Sequence, residues 1–406
     1  LYTIGFSAGA DSAAKLLEEA AFRAGSPRNE TTNVSSGYFR ASNGLALVEA
    51  INNIVKNIFE VNTSFTSPSI ASNNFDKTQT FNSAYFAMFY PGEGPRWSGN
   101  LKKLKVNADG VIVAPGGTSK AIDAKGNISA ETCTYWNTCA ANSSDGNNVT
   151  SGGVLPYLRN TLKNRNIKTT SGGSIIDIDS SSFVSSHSQD TLDWLYGLDV
   201  NDDDKDSSFR DARIDIMGDP LHSKPLALNF GTSDSLDVRI ILGTNQGLVH
   251  MFKDSDSGSD DYSVGSVSES WAFIPEELWS NIPILVENNP TGSHSVYGMD
   301  LSPVAYTETN ASGKIDKAWL YLVMRRGGAS YYALDITNPD APSFKWMINS
   351  TTSGFEDLGQ TWSEPVTTFV PGIEGPVLIF GGGMSSSDGN GEGVYVVNAD
   401  TGPAGG

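Results

Sequence analysis

The apolar positions of this chain change rhythm near residue 60. Before that point they alternate between short runs and helical stripes. "LYTIGFS" is a brief apolar run with β-branched content and predicts a buried strand. Asp11 or Ser12 can cap the next segment, where Ala14, Leu17, Ala21 and Ala24 fall on one stripe before Gly25 stops it. "GYFRAS" predicts a second short strand. A second helical pattern then runs through Leu45, Val48, Ile51, Val55 and Ile58. One strand–helix pair cannot bury its own faces, so residues 1–60 are expected to be the last part of a larger α/β sheet. The chain opens on an apolar strand without a charged leader, which reads as a start inside a domain.

From Ser64 onward the pattern is mainly β. "SAYFAMFYPG" predicts a strand ending at a Pro-Gly turn, and "RWSGNLKKLKVNADGVIV" a hairpin turning at Asp109-Gly110. Residues 115–190 are polar and rich in Gly and Ser, interrupted by a short helix in "GGVLPYLRNTLKNR". A second short helix lies in "DTLDWLYGLDV". Residues 61–214 thus form a mixed connector of strands, loops and short helices.

Past Asp215 one sentence is written three times. Ser and Pro introduce a first strand ("SKPLAL", "SPVAY", "SEPVTTF"), and an apolar strand follows ("VRIILGTN", "AWLYLVMR", "PVLIFGGG"). A Gly-bearing turn then leads to a third strand ("LVHMF", "YYALDI", "VYVVNA"). The first two units add a Trp-bearing fourth strand, "SWAFIP" and "FKWMIN". Units of four antiparallel strands, recurring every ~60–80 residues, are the signature of β-propeller blades; the other arrangement is a set of unrelated hairpins in a sandwich. Residues 215–406 hold about two and a half such units, whereas propellers close with about four to eight. The chain is therefore expected to be cut at both ends or to continue beyond this sequence. The fold class is mainly β: a partial propeller preceded by a mixed connector and an α/β segment.

Composition narrows the function. A formal charge of −19 and an isoelectric point near 4.5 argue against a nucleic-acid partner, because phosphate binding needs clustered Lys and Arg. No run of about 18 apolar residues predicts a membrane span. Cys133 and Cys139, the only cysteines, are close enough to form a disulfide in an oxidising compartment, or they are two buried thiols. Two Cys and four scattered His give no zinc cluster. The histidines (His187, His222, His250 and His294) lie in no nucleophile or metal motif, and His250 sits inside a blade strand as a packed side chain. "FGGGMSSSDGNGEG" lacks the Lys and helix of a phosphate loop and reads as a hairpin loop. The acidic stretch "DVNDDDKDSSFRD" is the candidate cation site. Asp199, Asn201 and Asp203 occupy alternate positions as in a calcium loop, but Asp204 and Arg210 stand where Gly and Glu are needed. A register from Asp202 gives Asp202, Asp204 and Asp206, with Ser207 at position six and Arg213 at twelve. A solvated acidic linker is the other reading.

The order of parts resembles the PilC/PilY family of type IV pilus tip proteins. "LYTIGFS…LLEEAAFRAG…YFRAS…LVEAINNI" resembles the end of a von Willebrand factor A-type domain, and "SAYFAMFYPGEGPRWSGNLKKLKV" the segment that follows it there. "GGVLPYLRNTLKNRNI", "DTLDWLYGLDV" and "IMGDPLHSKP" are similar to that family's connector. "LGTNQGLVHMF", "SWAFIPEEL", "YYALDITNP" and "LGQTWSEPV" are similar to its quinoprotein-like blades. The resemblance implies a secreted, non-enzymatic adhesin and assembly factor, extracellular at the pilus tip. Its partners would be minor pilins and a surface or host-cell receptor, and it would influence pilus assembly and retraction. The family's adhesion-site metal residues would precede this sequence, and its propeller calcium loop finds no clean match. A quinone-dependent dehydrogenase is the competing activity, since related blades carry that chemistry; a secreted scaffold propeller is the third reading.

Overall fold

A computed structural model describes residues 2–6, 12–26, 28, 34–35, 37–44, 46–48, 50–51, 54, 65–72, 80–124, 126–139, 144–232, 235–255, 262–385 and 391–403. The chain divides into two compact units, Leu1–Thr63 and Ser64–Gly406.

In the first unit, strands β1 (Thr3–Phe6) and β2 (Tyr38–Ala41) pair in parallel, with helix Ala14–Arg23 between them in sequence. Ala21 is fully buried, Ala14 and Leu17 are half-buried, and Ala24 is exposed. The N-cap position of the helix is Ala13, which makes no side-chain bond; Asp11 lies outside the described residues. It ends as predicted at Gly25, where Gly25 N–H bonds Phe22 O and Ser26 N–H bonds Ala21 O. Arg28 pairs with Glu18 (3.0 Å) and Glu19 (2.7 Å). Of the second helical stripe, Leu45, Val55 and Ile58 lie outside the described residues, while Val48 and Ile51 are exposed.

The second unit opens with a four-stranded antiparallel meander, β3 (Phe65–Ser72), β4 (Thr80–Tyr90), β5 (Ser98–Val106) and β6 (Ile112–Val113). Hairpin β7 (Ile167–Ser171) and β8 (Ser174–Asp177) follows a short helix, Leu155–Thr161. Next come β9 (Leu226–Asn229), β10 (Val238–Gly243), β11 (Val249–Asp254) and β12 (Val267–Ile274). The second repeat is β13 (Val304–Thr309), β14 (Ile315–Val323), β15 (Tyr331–Asp335) and β16 (Ser343–Ile348). The third is β17 (Val366–Thr368), β18 (Val377–Gly381) and β19 (Val394–Asn398). Each repeat is an antiparallel meander, the blade arrangement that the sequence predicts. One feature departs from the expected separation of connector and blade. Strand β7 pairs in parallel with β12, so the first blade is a six-stranded sheet ordered β8-β7-β12-β11-β10-β9.

The repeated punctuation has atomic causes. Ser223 and Ser363, before the first strands of blades one and three, accept hydrogen bonds from Gly243 N (3.0 Å) and Gly381 N (2.9 Å) at the ends of the second strands. The Trp of each fourth strand reaches into the next blade. Trp271 Nε1 donates to Pro339 O (2.9 Å) and Trp346 Nε1 to Ala399 O (3.4 Å), both just past a third strand. Asp335 and Asn398 turn the chain there, accepting from Thr337 N (2.8 Å) and Asp400 N (2.8 Å).

Strand alternation then stacks the sheets face to face. On β10, Val238, Ile240 and Leu242 join Tyr85, Ala87, Leu101, Leu155 and Leu158 of the connector. Ile241, on the opposite face, joins Leu320 and Leu322 of β14. Trp319, Tyr321 and Val323 of β14 turn the other way, towards Leu378 and Phe380 of β18. The connector meander thus covers the outer face of the first blade as another blade would. Leu320→Ala is expected to cost about 2–5 kcal/mol in chemical denaturation, because a fully buried side chain leaves a cavity between two sheets. Val396, half exposed on the far face of the last blade, should tolerate alanine within about 0.5 kcal/mol.

Strand β5 locks this stack. In "GNLKKLK" Lys102, Lys103 and Lys105 are all essentially inaccessible. Lys102 Nζ donates to the carbonyls of Asp145, Gly146 (3.0 Å) and Asn148 (2.8 Å), and burial pulls its pKa down to about 8 despite the pairing with Asp145. Asn100 Nδ2 donates to Val149, Ser151 and Gly152 carbonyls. At Gly99 a Cβ would lie 1.6 Å from Gly218 O, so only glycine lets these two backbones touch.

Candidate cation site in the acidic loop

Helix Gln189–Tyr196 delivers the chain to the acidic loop. Ser188 caps its start, accepting from Thr191 N (3.2 Å), and Gly197 ends it in the left-handed region. The loop is then pinched shut: Asp199 N bonds Asp211 O (2.9 Å) and Arg213 N bonds Gly197 O (3.0 Å). Arg210 ties it back to the buried Asp193 of the helix.

Within this clasp the two registers have different fates. Asp199 is buried and accepts from Asn201 N (3.3 Å) and Asp203 N (2.8 Å), so its carboxylate shapes the turn. Asn201 Nδ2 donates to Val286 O (2.6 Å), and Asp203 pairs with Arg96. All three residues of the first register are engaged in building the loop. Among the described residues, the carboxylates of Asp202, Asp204 and Asp206 come within 4.8 Å of one another. This spacing suits the oxygen ligands of a hard divalent cation.

The backbone supplies what the sequence lacks at position six. Ser207 adopts φ 71°, the region that glycine normally fills, and its N–H bonds Asp202 Oδ1 (3.0 Å). Position twelve is not rescued. Arg213 is buried over the Trp194 ring (4.0 Å) and bonds Asp215 and Gln246, so no carboxylate arrives there. Asp211 stands nearby, its Oδ1 buried without a hydrogen-bond partner among the described residues. Desolvation, followed by the charges of Asp206, Asp211 and Asp199, pushes the Asp204 carboxyl above its ordinary range. The set can accept a cation, and binding would relieve that repulsion.

The other candidates resolve into structure. Cys133 and Cys139 are joined as a disulfide. Asp145 organises that loop, accepting from Thr134 N (2.8 Å), Thr134 Oγ1 (2.6 Å) and Asn137 Nδ2 (3.0 Å). His250 is buried against Glu269 (2.7 Å), the packed role that its strand position predicts. His187 stacks on Phe183 at a centroid distance of 4.3 Å. His222 pairs with Asp300 (2.9 Å) and His294 with Asp219 (3.2 Å), two ties between the same pair of segments. Sequence reasoning missed these partners because they are 75–78 residues apart. No helix among the described residues is long and apolar enough to cross a membrane.

No family model matches the chain. It is similar to the type IV pilus biogenesis factor PilY1 of Pseudomonas aeruginosa strain UCBPP-PA14, at 23% identity over 383 residues, 88% of this chain and 30% of that protein. The chain thus resembles PilC/PilY1-type proteins. The PilY1 of strain PAK is 25% identical over 213 residues, 47% of this chain and 16% of that protein. The crystal structure of the Pseudomonas aeruginosa PilY1 C-terminal domain aligns with 41% of this chain and 29% of its own, at 22% identity and a TM-score of 0.29. The chain therefore spans less than a third of the length of these curated relatives.

Proposed function

We propose that this chain acts in type IV pilus biogenesis as a non-enzymatic docking component at the fibre tip. It would meet minor pilins there and contact a surface or a host-cell receptor, with an influence on assembly and retraction. The observation that carries this reading is the similarity to PilY1 across 88% of the chain, connector and blades together. In this reading residues 1–60 are the end of a von Willebrand factor A-type domain, 61–214 the connector and 215–406 the blades. The Cys133–Cys139 bridge suits an extracellular location. Immunogold microscopy of purified pili should place the protein at fibre ends, together with minor pilins in mass spectra. Detection only as a free periplasmic monomer would defeat the proposal.

Calcium is the cation we assign to the acidic loop, held through Asp202, Asp204 and Asp206, with Asp199, Asn201 and Asp203 shaping its turn. Millimolar calcium is expected to raise the thermal midpoint of the wild-type protein, since a ligand that binds only the folded state stabilises it. Asp204→Asn should remove most of that rise, whereas magnesium should give little of it. An equal response of wild type and variant would rule the loop out.

A further inference from the structure

We propose that the β14–β15 turn, together with Tyr297 and Trp362, forms a binding site for a carboxylate side chain of an acidic peptide segment. The site does not depend on the pilus reading. Three separate pieces of chain build it: the segment joining the first two blades, the turn itself, and the strand-like lead into the third blade.

The turn is locked before any ligand arrives. Arg325 adopts φ 53°, a region that a bulky residue occupies only when its surroundings impose it. Thr361 imposes it here: its carbonyl accepts from Arg325 N (3.1 Å) and its Oγ1 from Met324 N (3.1 Å), while its own N–H bonds Gly328 O (3.1 Å). Beneath the turn, a Cβ at Gly327 would lie 1.8 Å from Gly298 O, so the two backbones are in direct contact.

Two adjacent guanidinium groups are thereby set on aromatic rings. Arg325 lies over Trp362 at 4.2 Å and is neutralised by the buried Asp300 (3.3 Å), which also holds His222. Arg326 lies 5.2 Å from the Tyr297 ring centre and 5.4 Å from that of Trp362. One Nη of Arg326 donates to Tyr297 Oη (3.0 Å), and that hydroxyl lies 3.4 Å from His294 O as donor. Among the described residues no carboxylate lies within ion-pair distance of Arg326. Its remaining Nη and its Nε form an unused two-donor fork on an exposed side chain.

This arrangement selects a ligand class. A guanidinium held near two rings and bonded to Tyr297 Oη is partly oriented beforehand, so less side-chain entropy is lost when a planar carboxylate takes the fork. The rings offer apolar area beside it for the rest of a peptide. The molecule as a whole carries −19, which disfavours long polyanions more than it disfavours a segment presenting one carboxylate to the fork.

Titration calorimetry on the full chain, at low salt, with an acetylated Glu-rich hexapeptide tests this. Binding is expected for the Glu peptide and about tenfold weaker for its Gln counterpart. Arg326→Gln should weaken the Glu peptide about tenfold, and Arg326→Lys by a smaller factor, because it keeps the charge but loses the fork. Arg23→Gln, an exposed arginine of the first unit, should change nothing. Denaturation midpoints equal to wild type would establish that the variants are folded; Trp362→Phe serves as a second variant if Arg326→Gln is not. Equal binding of the Gln peptide, full affinity in Arg326→Gln, or inorganic phosphate binding where the Glu peptide does not would each overturn the site.

Discussion

Asp254→Ala is expected to cost about 3–5 kcal/mol, because it removes a buried anion that pairs with a buried lysine. Lys103 Nζ of β5 meets Asp254 Oδ2 at the end of β11, with both side chains out of water. Tyr85 Oη donates to the same carboxylate (2.7 Å) and Trp136 Nε1 to its other oxygen (3.1 Å). Four groups from the connector and the first blade therefore share one charge balance. An alanine would take the carboxylate away from a buried ammonium and remove an acceptor from two polar tips, and Lys103→Met alone would take the cation away from a buried carboxylate. Pairing Lys103→Met with Asp254→Leu should recover part of the loss, since two apolar groups need no counter-charge. The measurement is the denaturant midpoint of the second unit's transition for each variant and for the pair. A cost below about 1 kcal/mol for Asp254→Ala would mean that water or another group reaches Lys103.

Acid should weaken the first blade, and His250 and Glu269 set the window. Arg165 grips Glu269 through Nε (2.7 Å) and Nη2 (2.9 Å), and His250 Nδ1 approaches Oε1 (2.7 Å). Burial pushes the Glu269 carboxyl up, but Arg165 and His250 outweigh it and hold the group down at about 2. Burial holds His250 below its ordinary value, outweighing the pull of Glu269. Both native groups therefore bind fewer protons than the same groups in the unfolded chain. Stability from Glu269 is complete above about pH 4.5 and is lost as pH falls from there towards 2. That from His250 is complete above about pH 6.5 and falls as pH drops below it. Unfolding midpoints measured from pH 8 to 4 should decline below 6.5 in the wild type, and His250→Gln should flatten that upper limb only. Arg165→Met should cost about 3–5 kcal/mol at neutral pH by leaving the buried Glu269 carboxylate with His250 but without the Arg165 cation. Identical pH profiles for wild type and His250→Gln would refute this account.

What the sequence determined by itself is whatever depends on neighbours a few residues away. Alternation decides which way each strand side chain points, so the blade strands stand where the repeated Ser-Pro, Gly-turn and Trp signals place them. The hairpin at Asp109-Gly110 and the helix ending at Gly197 are equally local. The disulfide was half legible, since spacing permits it and only the fold brings Cys133 to Cys139. In the acidic loop the sequence offered two registers with equal defects. The left-handed Ser207 and the separate duties of Asp199, Asn201 and Asp203 favour the one that begins at Asp202. The tertiary structure alone decided that β7 extends the first blade, because parallel pairing carries no local signature. It alone buried the lysines of "NLKKLK": a lysine looks the same in sequence whether it faces water or an Asp254 placed 151 residues away. Charge burial depends on which distant counter-charge the fold delivers, and a one-dimensional pattern holds no record of that distance.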